Sequence, residues 1–175
     1  MSKITGEREL RQAMQKLQRD VNKQAAKSLR KIAKSAMKKA TKNVAQQIGV
    51  NAKTVRGRAR LTFSPTANNP KAIIRVNRSH MPLIRVLETK RNRISSRKGV
   101  LRVGRHSVSR GFVQRLANGR THIMFRQGRE RYGIDVAKIP LATPLTNAFQ
   151  KELVDYPEQL RQELSKNLST SLRRK

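Results

Sequence analysis

Apolar residues recur every three or four positions from residue 7 to residue 48, which is the spacing of one face of a helix. They are Leu10, Met14, Leu17, Val21, Ala25, Leu29, Ile32, Ala36, Ala40, Val44 and Ile48. The run contains no proline, and Gly6 and Gly49 bracket it. At 1.5 Å per residue such a helix would be about 63 Å long, which is more than a small globule needs. We therefore expect a helix over 7–48 that either breaks near residues 20–24 or projects and packs on another subunit.

Residues 59–136 change to the pattern of a β-rich core. The runs 60–64 and 72–76 read as strands on either side of a segment rich in Ser, Pro and Asn, and 83–87 is a third candidate strand. Residues 88–99 show no apolar periodicity and are rich in Lys and Arg. That composition predicts an exposed basic loop that is mobile in the free protein.

The clearest hairpin signal is the dipeptide Asn118-Gly119 between two alternating runs. Asn-Gly favours the two positive φ angles of a type I′ turn, which joins adjacent antiparallel strands through two residues. We therefore expect strands over 112–117 and 120–125, joined by this turn.

Helical spacing returns after residue 143. Thr143 can cap a helix whose first residue is Pro144, and Pro157 interrupts or restarts that helix. Four leucines then follow at i, i+4 spacing: Leu160, Leu164, Leu168 and Leu172. The order helix, antiparallel strands, helix predicts an α+β fold. We expect a single domain over 1–175, with its C-terminal helical segment at 143–173.

Charge is the dominant feature of the composition. Forty-one Lys and Arg face ten Asp and Glu, which gives a formal net charge of +31. The acids are also segregated, because Glu88 is the only carboxylate between Asp20 and Glu130. Such a stretch repels itself unless polyanions or acidic partners lie nearby. Nucleic acid is the commonest partner of this kind, and an acidic protein surface is the competing one.

Eight basic residues are our candidates for contact with a polyanion or an acidic partner. Half lie on the polar face of the predicted N-terminal helix and half in the predicted basic loop. They are Lys31, Lys34, Lys38, Lys42, Arg91, Arg93, Arg97 and Lys98. Contacts of Lys and Arg to phosphate give affinity without base specificity, so these residues imply no particular nucleotide sequence.

The residues that would mark an enzyme or a metalloprotein are scarce. Cysteine is absent, which excludes disulfides and thiolate-bound metals. The histidines are far apart in sequence, and none has a partner three or four residues away, as a helical metal site would require. A pair of catalytic acids would need Glu88, Glu130 or Asp135 to converge in the fold. We therefore expect no enzyme activity, no cofactor and no metal.

Membrane association is not predicted either. No run approaches the ~18 apolar residues of a membrane-spanning helix, and the N-terminus lacks the apolar core of a signal peptide. We expect a protein that stays in the cytoplasm until it joins an assembly.

One local pattern favours a different class of function. Residues 45–60 place a small residue, a glycine and a valine at the spacing of a helix-turn-helix motif, whose second helix would present Lys53, Thr54, Arg56 and Arg58 to a major groove. The alternative is that a long helix ends at Gly49 and a capped turn follows from Asn51. The first interpretation predicts a non-specific or operator DNA-binding protein.

Three segments carry a family resemblance. They are IRVNR at 74–78 with MPLI at 81–84, FVQRLANGRTHIM at 112–124, and RYGIDVAKIPLATPLTNAF at 131–149. They resemble the minor tail protein Z family of lambda-like phages and prophages. The third is the most specific, because it follows the family's IDV-KIP-PLT-AF signature almost continuously. The resemblance holds in order over most of the chain and departs at residues 88–99 and after Phe149.

The resemblance implies a small virion protein that acts late in tail assembly, at the end that joins the head. It implies other tail or neck proteins as partners, such as a tail terminator or connector ring, and a role in passing phage DNA. We expect a homo-oligomeric ring on the head-proximal end of the tail, assembled in the host cytoplasm, with phage DNA in its lumen as a further contact. The family has no known catalytic residues, so the resemblance adds none.

Overall fold

The protein, described as a computed structural model, has the α+β arrangement expected from the sequence. Residues 6–128 and 132–173 are described, except for the side chains of residues 168 and 170–173. The helices are α1 (Glu7–Ile48), α2 (Ala52–Arg56), α3 (Ala142–Leu153) and α4 (Tyr156–Arg173), with a 3-10 helix at Leu83–Glu88. The strands are β1 (Ala59–Phe63), β2 (Ile73–Val76), β3 (Met81–Pro82), β4 (Ile94–Arg97), β5 (Val100–Val103), β6 (His106–Ser109), β7 (Gly111–Arg115), β8 (Thr121–Arg126), β9 (Ile134–Val136) and β10 (Lys138–Ile139).

Helix α1 is continuous over its 42 residues and does not break near residues 20–24. Its first turn carries Glu7 and Glu9, whose charges suit the positive end of the helix dipole. The helix ends where Gly49 adopts a φ of 72° and the N–H of Val50 donates to the carbonyl of Ala45 at 3.0 Å. This pattern of a left-handed glycine and a 6→1 hydrogen bond is the Schellman motif, so the end predicted at Gly49 is confirmed.

The described chain divides into two compact units. Unit one contains residues 6–37, 60–75 and 152–173, and unit two contains residues 38–59, 76–128 and 132–151. Because α1 supplies residues to both units, the assignment of a single domain over 1–175 stays a prediction.

In unit one, α4 lies antiparallel to the N-terminal part of α1. The side-chain amide of Asn167 donates to the buried hydroxyl of Ser28 at 2.8 Å, and Lys31 contacts Glu163. From Ser28 to Lys31 the contacts advance toward the C-terminus of α1, and from Asn167 to Glu163 they go back toward the N-terminus of α4. This order shows that the two helices are antiparallel. The buried apolar residues of this unit are Ala26, Ile32, Ala33 and Ala36, so its core is small and rich in alanine.

Unit two contains the larger core. Two antiparallel three-stranded sheets, with orders β4-β5-β6 and β7-β8-β9, are accompanied by the short β3-β10 pair. Gly111, the first residue of β7, lies so close to the first sheet that a Cβ there would be 2.9 Å from the Cβ of Leu101. Fully buried side chains include Met81, Ile123, Leu141 and Leu145.

The hairpin predicted at residues 112–125 is confirmed, but its turn is of a different type. β7 pairs antiparallel with β8, and Arg115 lies opposite Thr121. Only Gly119 has a positive φ, of 75°, and its N–H donates to the carbonyl of Leu116 at 2.9 Å. Asn118 instead accepts a hydrogen bond on its side chain from the N–H of Arg120. This is a three-residue loop that ends in a left-handed glycine, so the prediction of a two-residue type I′ turn is wrong.

Residues 83–87 form a 3-10 helix, so the third strand predicted there is wrong. Leu83 and Val86 are its buried residues, and residues three apart lie on the same side of a 3-10 helix. Four apolar residues around Arg85 fit this one-sided burial as well as they fit a strand, because the run is too short to show a regular alternation.

The C-terminal segment forms two helices, as Pro157 predicted. α3 begins at Ala142 rather than at Pro144, because the N–H of Leu145 donates to the carbonyl of Leu141 at 3.1 Å. The cap predicted at Thr143 is therefore wrong, and Pro144 lies in the first turn, where a proline costs no hydrogen bond. Leu160 and Leu164 are half-buried, and the side chains of Leu168 and Leu172 lie outside the described residues.

Candidate interaction surfaces

The four predicted basic residues of α1 form one exposed stripe. Lys31, Lys34, Lys38 and Lys42 follow one another at spacings of three and four and are all exposed. Ala33, Ala36, Ala40 and Val44, on other sides of the helix, are buried. The stripe extends about 16 Å along the axis, at 1.5 Å per residue.

Lys31 differs from the other three because it has an acidic partner within its own unit. Its ammonium lies 2.8 and 2.9 Å from the two carboxylate oxygens of Glu163. The hydrogen bond from Lys31 holds the pKa of Glu163 below its usual value. Of the stripe, Lys31 is thus the member whose charge is already compensated, and Lys34, Lys38 and Lys42 are the stronger candidates for an external anion.

The basic segment 88–99 is only partly a loop. Residues 94–97 form β4, which pairs antiparallel with β5, so the prediction of a loop over the whole segment is wrong. The connecting turn is Lys98-Gly99, with φ angles of 49° and 76°, and two successive positive φ angles are those of a type I′ turn. Arg91 and Arg93 precede the strand, Arg97 ends it and Lys98 lies in the turn; all four are exposed.

The strand register defines an outward basic face on this sheet. Ser95 lies opposite Arg102, and Arg102 lies opposite Ser107, so these three side chains share one face with Arg97. The other face carries the buried Leu101 and Val103. Arg102 was not among the predicted candidates, and the signal that would have found it is the alternation of Leu101, Arg102 and Val103.

Three side chains from the segment 92–106 hold this sheet against the C-terminal end of α1. The amide of Asn92 donates to the carbonyl of Gly49 at 2.8 Å, and Arg105 donates to that of Gln46 at 3.4 Å. The Nε2 atom of His106 is 2.9 Å from the carbonyl oxygen of Ile48. The carbonyl groups of Gln46 and Ile48 are among those that a helix end leaves unpaired, so these contacts fix this end of the sheet against the last turn of α1.

Residues 45–60 adopt the capped-turn alternative rather than a DNA-reading helix. α2 has only five residues, and Asn51 caps it by accepting the N–H of Lys53. Val55 is fully buried, and the hydroxyl of Thr54 donates to Glu88 at 3.0 Å. A recognition helix inserts its exposed side chains into a major groove, and here one of the proposed reading residues is bonded to a carboxylate.

A polar cleft of about 510 Å³ lies beside α2. It is lined by Lys53, Thr54, Arg58, Met81, Pro82, Arg85 and Glu88. Arg58 donates to the carbonyl of Ser79 at 2.7 Å; burial, and then the charge of Arg85, lower the pKa of its guanidinium. The hydrogen bond from Arg85 lowers the pKa of Glu88, so this carboxylate is a structural ion-pair partner at neutral pH.

The N-terminal part of α1 is exposed on every side. All residues from 6 to 19 are exposed, and the side chains of Leu10, Met14 and Leu17 are 62%, 63% and 61% exposed. The sequence pattern had grouped these three with the buried residues of the helix. Their exposure favours the second of the two expectations for the helix, that it projects.

The described residues contain no group of three or more His, Asp or Glu that could hold a metal ion. Glu88 is paired with Arg85, and Asp135 accepts a hydrogen bond from Gln127. Glu130, the third candidate acid, lies outside the described residues. Within the described part of the chain, no helix has the length and apolarity needed to cross a membrane.

The comparisons with known proteins converge on phage tails. A family model described as "Prophage minor tail protein Z (GPZ)" matches residues 5–175. Tail completion protein Z of Escherichia phage lambda is 40% identical over 165 residues, which cover 85% of this chain and 82% of that protein. The tail completion protein of Escherichia phage N15 is 41% identical over 140 residues, covering 76% and 75% of the two chains. No solved structure matches. The matched residues include every surface described above.

Proposed function

Because the chain belongs to the prophage minor tail protein Z family, we propose that it is a structural virion protein that completes the head-proximal end of a phage tail. The observation that carries this proposal is the family match over residues 5–175, which leaves only four residues of the chain unmatched. The names of the lambda and N15 relatives, both tail completion proteins, support it.

The described surfaces suit an assembly protein rather than an enzyme. A completion protein must bind several neighbours at once, and this chain presents a projecting helix with exposed apolar side chains and two exposed basic surfaces. The carboxylates that would have to act as catalytic acids are bonded to neighbours, as with Glu88 and Arg85. We infer a role in binding and joining, without a chemical step.

The basic residues of α1 and of the β4–β5 hairpin are proposed to engage anions in the assembled particle. Duplex DNA in the lumen of a neck carries one negative charge per about 1.7 Å of axis, and an acidic ring of tail or neck subunits offers the alternative anion. In a ring of subunits, even a few cations per chain would form a continuous basic collar. This collar would bind an anion strongly, since linked sites bind with a high effective concentration. Lys34, Lys38, Lys42, Arg91, Arg93, Arg97 and Lys98 are the proposed contacts, with Lys31 as a member already paired to Glu163.

Salt dependence separates the two anions. A surface that grips duplex DNA loses affinity with a slope of about −0.9 per phosphate contact on a double-logarithmic plot. A surface built for an acidic ring binds isolated tails and leaves free duplex unbound at physiological salt. Fluorescence anisotropy with labelled duplex, beside co-sedimentation with tails, measures both.

The tail-completion role is tested with a phage that lacks this protein. Tails from a nonsense mutant of the parent phage should not yield infectious particles when mixed with filled heads, and purified protein added before mixing should restore them. If the protein has a different role, the mutant tails should be active without it, or the purified protein should fail to restore their activity when it is added before mixing. Either result would contradict the proposal.

A further inference from the structure

Unit one contains two apolar surfaces without a partner among the described residues. The first is the arm, defined as residues 7–20 of α1, with the exposed stripe of Leu10, Met14 and Leu17. The second is the unit-one groove, an apolar depression of about 490 Å³. Residues that line the groove include Leu29, Ile32, Ala33, Ala72, Ile74 and Leu153. Exposed apolar surface of this kind marks an interaction site.

The arm cannot reach the groove of its own chain. Leu17 and Leu29 belong to the same continuous helix, and twelve residues of helix separate them by about 18 Å along the axis. A continuous helix has no hinge at which the arm could fold back onto its own later turns. Contact between the two surfaces therefore requires a second copy.

Charge favours a copy of this chain as the occupant of the groove. At +31, two copies repel each other across most of their surfaces. The arm is the least basic part of α1. Its three acids and four cations give a net charge of +1, whereas residues 21–48 contain eight Lys and Arg and no acid.

Two of the three acids of the arm, Glu7 and Asp20, lie beside the apolar stripe, whereas Glu9 and Lys16 lie farther round the helix. At 3.6 residues per turn, Asp20 and the ion pair of Glu7 with Arg11 flank the apolar stripe, while Arg8 and Arg19 lie on the opposite face. The groove has a cation of its own, Lys71, among the residues that line it. A stripe flanked by Asp20 therefore meets a complementary charge there.

We propose that the arm of one copy docks in the unit-one groove of the next copy, and that this head-to-tail contact links the subunits of the ring. The inference rests on the ring that the proposed function calls for. A head-to-tail contact uses two different surfaces and closes into a ring when the rotation between copies permits it. One short helix buries less than the roughly 800 Å² per partner of a stable pair. The contact is therefore weak between two free copies and strengthened by ring closure.

Disulfide trapping tests the contact without a phage particle, because the chain contains no cysteine. Leu17→Cys and Ala72→Cys are made as separate single variants, mixed and oxidised. The expected product is a disulfide-linked dimer that contains one copy of each variant. Arg19→Cys, on the opposite face of the arm, replaces Leu17→Cys in the matched control and should give at least tenfold less of the mixed dimer. Lys71→Cys is the substitute if Ala72→Cys does not fold.

Two results would overturn the inference. One is a yield of mixed dimer no higher than in the Arg19→Cys control. The other is a predominant dimer of Leu17→Cys with itself, which would mean that arms pair with arms. The tail-completion role is measured separately: loss of that role with the cross-link intact would contradict the proposed function and leave the contact established.

Discussion

Asn92 has a structural role that its neighbours in the basic segment do not share. Its amide nitrogen donates to the carbonyl of Gly49 and to the carbonyl of Val86, both at 2.8 Å. Two backbone acceptors from different elements therefore depend on one side chain. Its place between two arginines concealed this role at the level of sequence, because only the fold brings Gly49 and Val86 beside it.

Replacing Asn92 with Leu should destabilise the protein by about 1–3 kcal/mol, since partly buried carbonyl groups would lose their donor. Urea unfolding followed by circular dichroism measures the change. The matched control is Arg91→Leu at the exposed neighbouring position, which should stay within about 0.5 kcal/mol of the parent. Equal stability of the two variants would remove the bridging role of Asn92.

The Lys31–Glu163 ion pair predicts a pH dependence of unit one. The pKa of Glu163 is lowered from its ordinary value of 4.5 by the hydrogen bond from Lys31. A carboxyl whose folded pKa is depressed contributes stability above its unfolded pKa and loses that contribution as the pH falls through the folded pKa. The unfolding midpoint of the parent should therefore exceed that of Glu163→Gln at pH 7, and the difference should vanish below the depressed pKa.

The same titration with Glu158→Gln provides the control, because Glu158 lies in the first turn of the same helix and its side chain is 61% exposed. The pH dependence should be larger for Glu163→Gln, because Glu163 is the carboxylate that contacts Lys31. A pH-independent difference for Glu163→Gln would contradict the coupling between Lys31 and Glu163.

At the scale of elements, the β7–β8 hairpin depends on one glycine. Gly119 has a φ of 75°, and a β-branched residue in that left-handed region costs about 1–3 kcal/mol. Gly119→Val should lower stability by that amount, whereas Ala117→Val in the same loop should be close to neutral. Differential scanning calorimetry compares them, and an unchanged midpoint for Gly119→Val would contradict the assigned loop geometry.

Elements with a long period or a clear turn signal were predictable from sequence, and short elements without either were not. The pattern at 7–48 repeats for many turns, so it predicted α1 with its correct ends. The strand β4 was missed because its residues, from Ile94 to Arg97, are all exposed and are ordered by pairing with β5 rather than by a buried face. Leu83–Glu88 was misassigned because its short apolar run fits either structure.

The candidate surfaces were predictable as charges but not as contacts. The lysine stripe of α1 followed from helical spacing alone. Two features depend on where α4 lies. The first is the contact between Lys31 and Glu163, which are 132 residues apart in sequence. The second is the exposure of Leu10, Met14 and Leu17 in the described part of the chain. No local pattern carries that information.

At the scale of the whole molecule, the excess of positive charge should matter for assembly and not for folding. Reversing Lys34, Lys38, Lys42 and Arg97 to Glu changes four exposed side chains, each expected to alter stability by no more than about 0.5 kcal/mol. The purified variant should fold and yet fail to restore infectivity to tails that lack the protein.

A charge-matched control separates location from net charge. Reversing Arg56, Arg60, Arg75 and Arg115, which are also exposed, changes the total by the same amount. This variant should retain most of the restoring activity. If both variants restore infectivity equally well, the basic surfaces serve only to keep the protein in solution.

Electron cryomicroscopy of tails purified from the parent phage and from a mutant that lacks this protein tests the tail-completion role directly. We expect additional density at the head-proximal end of the parent tails, absent from the mutant and recovered when purified protein is added. The long helix α1 should be recognisable in that density as a rod of about 63 Å. Tails whose head-proximal ends are identical with and without the protein would contradict the assignment.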